Sequence, residues 1–239
     1  MSSRRSTIEN RVASHEEWLK ARLELLDAEK EFTRQRDALT RRRMAMPWEH
    51  VEKPYQFEGL NGTLSLADLF DECSQLIVYH FMSAPDWEEG CNSCSFWADN
   101  FNGIAIHLDH RDVTFTAVSR APLAKINAYR RRMGWSFPWV SSFGSDFNFD
   151  YHASFASAQI GEGKAYYNHE IRPIDVSDEI AISVFSKNER GEVFHSYSCY
   201  GRGIDMLNCV YQYLDLVPKG RDEDGFEFPM KWVSRHDQY

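Results

Sequence analysis

The stretch Ile77–Asp99, IVYHFMSAPDWEEGCNSCSFWAD, decides the fold. The apolar run Leu76–Met82 predicts a buried strand, and the loop after it is irregular and acidic. Cys91 and Cys94 then stand where a helix carrying Phe96, Trp97 and Phe101 begins. Strand, loop, CxxC and helix, in that order, is the layout of a thiol redox site. Backbone N–H groups at a helix N-terminus favour negative charge, so Cys91 can hold a thiolate while Cys94, one turn on, closes a disulfide. Asp86, Glu88 and Glu89 bear on that thiolate in one of three ways: as opposing charge, as a proton acceptor, or as solvated loop acids that do neither.

Working outward, the CxxC helix is expected to run to about Leu108, and Val113–Ser119, VTFTAVS, reads as a second buried strand. Pro122 opens the next helix, PLAKINAYRRRM, and Gly134 ends it before Phe137-Pro138-Trp139-Val140 turns extended. The alternation β-α-β-α-β predicts parallel strands with helices covering the sheet. Gly144–Val176 has no sustained period, and GEGKAYYN at Gly161–Asn168 reads as an exposed insertion. It is not a phosphate loop, since Ala158 and Ala165 replace the required glycine and hydroxyl residue. Ile180–Ser186 and Val193–Tyr200 predict a β-hairpin, followed by a last helix, Ile204–Leu214.

Upstream, Asn61-Gly62 predicts a tight turn inside Tyr55–Leu66, and a short helix is expected over Ser65–Asp71. Ser14 and Glu17 form a capping box. Trp18, Ala21, Leu25, Ala28, Phe32, Gln35 and Leu39 then recur at helical steps as far as Arg41, Arg42 and Arg43. This predicts one long amphipathic helix, either docked on its own domain or serving as a lid or an arm that makes a homodimer. The expected division is a helical arm over 1–46, a domain over 47–217 and an extended C-terminal tail over 218–239.

A chain of 239 residues with 43% hydrophobic content is long enough for one sizeable core plus an appendage. The formal charge of −9 argues against a nucleic-acid partner, because phosphate binding needs a basic surface. Residues 1–46 hold 11 Lys/Arg against 8 Asp/Glu, which leaves the acidic excess on the body. No apolar leader follows the charged start MSSRRSTIENR, and no eighteen-residue apolar run exists, so a cytoplasmic protein without a membrane partner is expected. Five cysteines, Cys73, Cys91, Cys94, Cys199 and Cys209, make an odd set expected to be reduced and mostly buried. Cys199 and Cys209 are ten apart, outside the usual CxxC spacing. His107 and His110, three apart near a helix end, could share a metal but are expected to be solvated or capping, so no metal site is expected.

Together these elements resemble the thioredoxin-like fold. More closely, the chain resembles a bacterial thioredoxin-like family known as a domain of unknown function. The motifs that carry the resemblance span nearly the whole chain: Ser14-His15-Glu16-Glu17-Trp18, LIVYHFM, PDWEEGCNSCSFWADNF, VSRAPLAKI, RRMGWSFPWVSS and Gly203–Asn208. The resemblance implies an α/β fold, a thioredoxin-like mixed β-sheet flanked by helices with a long N-terminal helix. It implies Cys91 as the exposed nucleophile and Cys94 as the resolving thiol, with no cofactor and a disulfide-containing protein or small thiol as substrate. Thioredoxins place a tryptophan before the first cysteine, Gly-Pro between the two and a cis-proline before the hairpin. Here Gly90, Asn92-Ser93 and Glu179-Ile180-Ala181-Ile182 stand instead. Peroxiredoxins carry a proline and a threonine upstream of their peroxidatic cysteine, but here Pro85 lies six before Cys91 and Glu88 takes the threonine's place.

Three functions follow as expectations: a thiol–disulfide oxidoreductase or thiol reductase, a non-catalytic binding or dimerisation module, and an atypical peroxidase acting through Cys91. Trp87, Glu88, Trp97 and Arg120 are the candidate substrate-binding residues. Aromatic side chains wall ligand sites, and Arg120 follows a strand at the sheet edge where α/β folds bind ligands.

Overall fold

The alternation of side chains along one strand organises the core. Gln75–His80 lies at the centre of an eight-stranded sheet in a computed structural model that describes residues 10–239. The charged start over residues 1–9 lies outside the described part. In chain order the elements are α1 (His15–Met44), β1 (Glu49–His50), β2 (Gln56–Gly59), β3 (Gly62–Ser65), β4 (Gln75–His80), α2 (Asn92–Ala98) and α3 (Phe101–Asp109). They continue with β5 (Val113–Ser119), α4 (Leu123–Arg132), β6 (Trp139–Ser141), α5 (Phe147–Asp150), α6 (Ser157–Glu162), β7 (Lys164–Tyr167) and β8 (Glu170–Pro173). The last are β9 (Ala181–Lys187), β10 (Val193–Tyr200) and α7 (Cys209–Leu214).

The sheet order is β1-β10-β9-β4-β5-β6-β2-β3. Strands β4, β5 and β6 are parallel, β9 runs antiparallel to β4, and β10 pairs antiparallel with β9. A parallel β-α-β unit, then a hairpin added on the far side of the first strand, is the thioredoxin-like arrangement. Because side chains alternate across a strand, Leu76 and Val78 join Phe57, Phe70, Phe147 and Phe185 on one face. Tyr79 joins Cys94, Trp97, Phe101 and Trp139 on the other. Both faces are covered, which is why Leu76–Met82 reads as an unbroken apolar run.

Several expectations change at this level. The CxxC helix breaks at Asp99-Asn100 into α2 and α3, where the Asn100 side chain donates to the Phe96 carbonyl at 3.1 Å and the Trp97 carbonyl at 3.2 Å. The predicted helix over Ser65–Asp71 is a single 3-10 turn, Asp68–Phe70, and the last helix is a 3-10 segment, Gly201–Leu207, followed by α7. The expected insertion is not wholly exposed. Strands β7 and β8 pair into a second small sheet, and Ala165 and Tyr167 pack with Phe155, Ile174 and Tyr200 in a third core cluster.

The long helix forms as expected, with Ser14 Oγ accepting from the Glu17 amide at 3.2 Å and the Glu17 carboxylate accepting from the Ser14 amide at 3.0 Å. None of its residues is buried, and at its C-terminal end Arg43 lies over the Tyr197 ring of β10. Trp18 and Phe32 are 56% and 67% exposed. Exposed pairs such as Arg34–Glu31 at 2.7 Å lie along its surface, three residues apart on one face.

The tail is the other departure. It does not run loosely over the surface, since Val233 is 3% exposed and belongs to the same cluster as Cys94, with Met230 and Trp232 packed against it. Glu223 holds this wrap by accepting from the Trp232 indole at 2.6 Å and the Tyr211 hydroxyl at 2.7 Å. The tail therefore reaches the thiols.

Candidate functional site

Cys91 is the residue that caps α2, with φ −55° and ψ 132°, and its sulfur accepts from the Cys94 amide at 3.4 Å. The chain turns into a helix here because Asn92-Ser93 can open a first turn, and the Ser95 hydroxyl closes it by donating to the Cys91 carbonyl at 2.7 Å. Cys91 is half-buried, whereas Cys94 is fully buried beneath it, under the Tyr79 ring, whose hydroxyl donates to the Cys94 carbonyl at 3.3 Å.

This geometry separates the two thiols electrostatically. The Cys94 thiol donates to the Cys91 sulfur, and the amides of Cys94 and Ser93 add to it. Against burial and the nearby Glu179 carboxylate, these bring the Cys91 pKa down to about 7. Burial, with the Cys91 sulfur beside it, pushes the Cys94 thiol well above its ordinary value. The arrangement makes Cys91 the more exposed and the more readily ionised of the two thiols.

Gly90 explains why the residue before the first cysteine is not larger. A β-carbon there would stand 2.7 Å from the Phe81 ring and 2.8 Å from the Tyr129 ring, so the tryptophan that thioredoxins carry at this place has no room. The Gly90 carbonyl accepts from Arg235 Nη2 at 2.7 Å, and Arg235 Nε donates to the Tyr129 hydroxyl at 2.8 Å. Tyr129 in turn lies 2.9 Å from Ser95 Oγ, and Asn92 Nδ2 donates to the Val233 carbonyl at 2.7 Å. The tail thus fixes both sides of Cys91.

The acidic loop is largely answered by the same residues. Glu89 pairs with Arg132 and, at 2.9 Å, with Arg235. Asp86 and Glu88 point to solvent. Glu179, half-buried just before β9, is a carboxylate whose charge opposes Cys91 ionisation, and burial raises its own pKa.

The candidate substrate-binding residues are dispersed. Trp87 is half-buried in the loop, whose Pro85 and Trp87 carbonyls accept from Lys125 Nζ at 2.9 and 3.1 Å. Glu88 is exposed on the same loop. Trp97 is a correction: it is 3% exposed, donates its indole N–H to the Ile204 carbonyl at 3.2 Å, and packs edge-on against Phe96 and Tyr211 in the core. Arg120 is another. Its Nε donates to Asp178 at 2.7 Å, and its guanidinium lies over the Phe149 ring, so it is held by its own chain rather than presented to an anion.

Of the other thiols, only Cys73 joins Cys94 in being buried. Cys199 is half-buried and Cys209 exposed, so the expectation of mostly buried cysteines does not hold. Among the described residues no three His, Cys, Asp or Glu side chains gather as metal ligands, and no helix is long and apolar enough to cross a membrane. His80 is a core histidine kept neutral by burial, its pKa pushed down to about 3, with Nε2 lying 3.0 Å from Ser183 Oγ. A recess of about 260 Å³ lined by Lys53, Tyr55, Phe143 and Asp146 is bordered by neither CxxC cysteine.

Sequence reading missed Arg235, Tyr129, Ser95 and Tyr167. Only Glu179 carried a signal, as the start of the segment lacking the thioredoxin proline.

Solved structures similar to the chain include a peroxiredoxin Q mutant from Xylella fastidiosa, with 13% identity, 70% of this chain and 95% of that chain covered, and a TM-score of 0.44. Peroxidoxin BcpB from Mycobacterium tuberculosis is 12% identical over 70% of this chain and 97% of its own, with a TM-score of 0.43. The mitochondrial 2-Cys peroxiredoxin from Plasmodium falciparum is 11% identical over 76% and 98%, with a TM-score of 0.40. No curated protein matches the chain in sequence. The family model described as bacterial protein of unknown function, DUF899, matches residues 7–239, and the chain belongs to that family.

Proposed function

We propose that this chain is a thiol–disulfide oxidoreductase in which Cys91 attacks and Cys94 resolves. The observation that carries the reading is the asymmetry of the pair, a half-buried sulfur receiving the Cys94 amide above a fully buried thiol. The Cys91 thiolate attacks one sulfur of a disulfide, forming a mixed disulfide and releasing one thiolate, which takes a proton. Cys94 then gives up its proton and attacks the Cys91 sulfur, releasing the second thiolate and leaving a Cys91–Cys94 disulfide. Two equivalents of an external thiol, oxidised to their own disulfide, restore the pair. A peroxidase reading has less support, because Glu88 occupies the threonine position and is exposed.

The pH dependence of Cys91 alkylation tests this. The rate constant is expected to rise with pH to half its maximum at about pH 7, two units below an ordinary thiol in this protein. The same depression favours the folded reduced state above about pH 9, a contribution lost as pH falls through about 7. Glu179→Gln removes a like charge that opposes the thiolate, so the midpoint moves lower still. A midpoint near 9 in the unaltered protein contradicts the proposal.

The location proposed for this activity is the cytoplasm, where external thiols are abundant. The exposed apolar residues Trp18, Leu25 and Phe32 on α1 support a homodimer formed along that helix. Its expected signature is a dimer mass by light scattering that falls to a monomer in Leu25→Glu/Phe32→Glu. A monomer mass before substitution excludes it.

A further inference from the structure

We infer that the Cys91 site takes a low-molecular-weight disulfide and not a polypeptide disulfide. The segment just before β9 already has one edge paired by residues 153–155 of its own chain and its Ile180 carbonyl bonded to Tyr167. This rests on the oxidoreductase reading and specifies its substrate.

A polypeptide is commonly gripped at such a site by its backbone, as an added strand whose N–H and C=O groups pair with a free edge. The segment before β9 is where that edge would be, since Ile180 packs on the cluster that holds Cys91 and Cys94, and the Glu179 charge bears on the Cys91 thiolate. Here it is taken. The Phe155 amide donates to the Ser177 carbonyl at 2.9 Å, and the Glu179 amide donates to the Ala153 carbonyl at 2.9 Å. Between them Ser154 and Asp178 form an antiparallel bridge, tied side chain to side chain at 2.5 Å. The insertion therefore lies as a short strand against 177–179.

The next acceptor is closed as well. The Tyr167 hydroxyl donates to the Ile180 carbonyl at 2.8 Å and accepts from the Gly201 amide at 2.9 Å, so it is pinned from both sides. From Ala181 onward both edges of β9 are occupied, by β4 and by β10. On the other side of Cys91, the Gly90 carbonyl is bonded to Arg235 and the Asn92 side chain to Val233. These internal bonds would have to break before an extended chain could pair at the site, and breaking a buried hydrogen bond is costly. A small disulfide asks only for access to one half-buried sulfur.

In the reaction, the Cys91 thiolate forms a bond to one sulfur of R–S–S–R and the first RS⁻ leaves. Cys94 then gives up its proton and attacks the Cys91 sulfur, displacing the second RS⁻ and leaving a Cys91–Cys94 disulfide. The substrate gains two electrons, the protein pair loses two, and dithiothreitol returns them in the assay. The test measures kcat/KM of the reduced full-length protein with oxidised glutathione, with bis(2-hydroxyethyl) disulfide and with the disulfides of insulin. At least one small disulfide is expected to exceed insulin by about 100-fold or more. Tyr167→Phe, which frees the Ile180 carbonyl, is expected to raise the insulin value by about tenfold. Insulin turned over within about tenfold of the better small disulfide overturns the inference while leaving the redox reading intact, as does an insulin value unmoved by Tyr167→Phe. No reaction with any of the three disulfides overturns both.

Discussion

Cys91→Ser is expected to lower disulfide exchange by at least about a thousandfold, since it removes the only accessible sulfur of the pair that ionises near neutral pH. Cys94 cannot stand in, because it is fully buried and burial holds its thiol protonated. The complementary substitution separates the two roles. Cys94→Ser leaves the Cys91 sulfur able to attack but removes the group that releases it, so a mixed disulfide with the substrate should accumulate and be visible by mass spectrometry of the intact protein. A non-catalytic module predicts a different pattern, with neither substitution changing any rate and no adduct at Cys91. Exchange surviving in Cys91→Ser, carried by Cys199 or Cys209, would relocate the chemistry entirely.

Phe147→Ala is expected to destabilise the fold by about 3–5 kcal/mol. The ring has no exposure and stands at the start of α5. It meets Phe57 edge-on at 4.8 Å and Tyr55 at 5.1 Å, stacks on His80 at 5.4 Å, and lies near Tyr151 and Phe185. It fills the face of the sheet opposite the thiols, beneath the C-terminal end of β4, where neighbours from β2, β4, β9 and the loops beside β2 and α5 cannot collapse together into the vacated space. Urea denaturation of the variant, beside Phe143→Ala as a control at 58% exposure, measures the effect. The control should change stability by no more than about 0.5 kcal/mol. A loss below about 1 kcal/mol at Phe147 would mean that this core is not built around it.

What the chain disclosed about itself follows from how far each signal reaches along it. Strand β4, helix α4 and the β9–β10 hairpin were legible because period, proline and glycine act over neighbouring residues. The capping box at Ser14 was legible for the same reason. The destination of α1 was not, because a stripe of Trp18, Leu25 and Phe32 reads alike whether it meets its own domain or another chain. Trp97 and Arg120 were misplaced for a related reason: an aromatic ring beside a cysteine, or a cation after a strand, does not reveal which way it points. Trp97 turned into the core, and Arg120 found Asp178, 58 residues away. The longest-range features were the least visible. Arg235 reaches the Gly90 carbonyl across 145 residues from a charged tail of no periodicity, and Tyr167 closes the Ile180 carbonyl from a segment that looked like surface insertion. The two cysteines were found by spacing, but their asymmetry comes from burial and from amides that only the folded chain brings together.

The most direct test of the account equilibrates the full-length protein with glutathione redox buffers, quenches with acid, alkylates the free thiols and maps every cysteine by peptide mass. The account predicts a Cys91–Cys94 disulfide that forms and disappears reversibly as the buffer potential is varied, with Cys73 remaining a free thiol throughout. Cys91 and Cys94 both staying free at every potential, or Cys91 pairing with glutathione and never passing to Cys94, would contradict it.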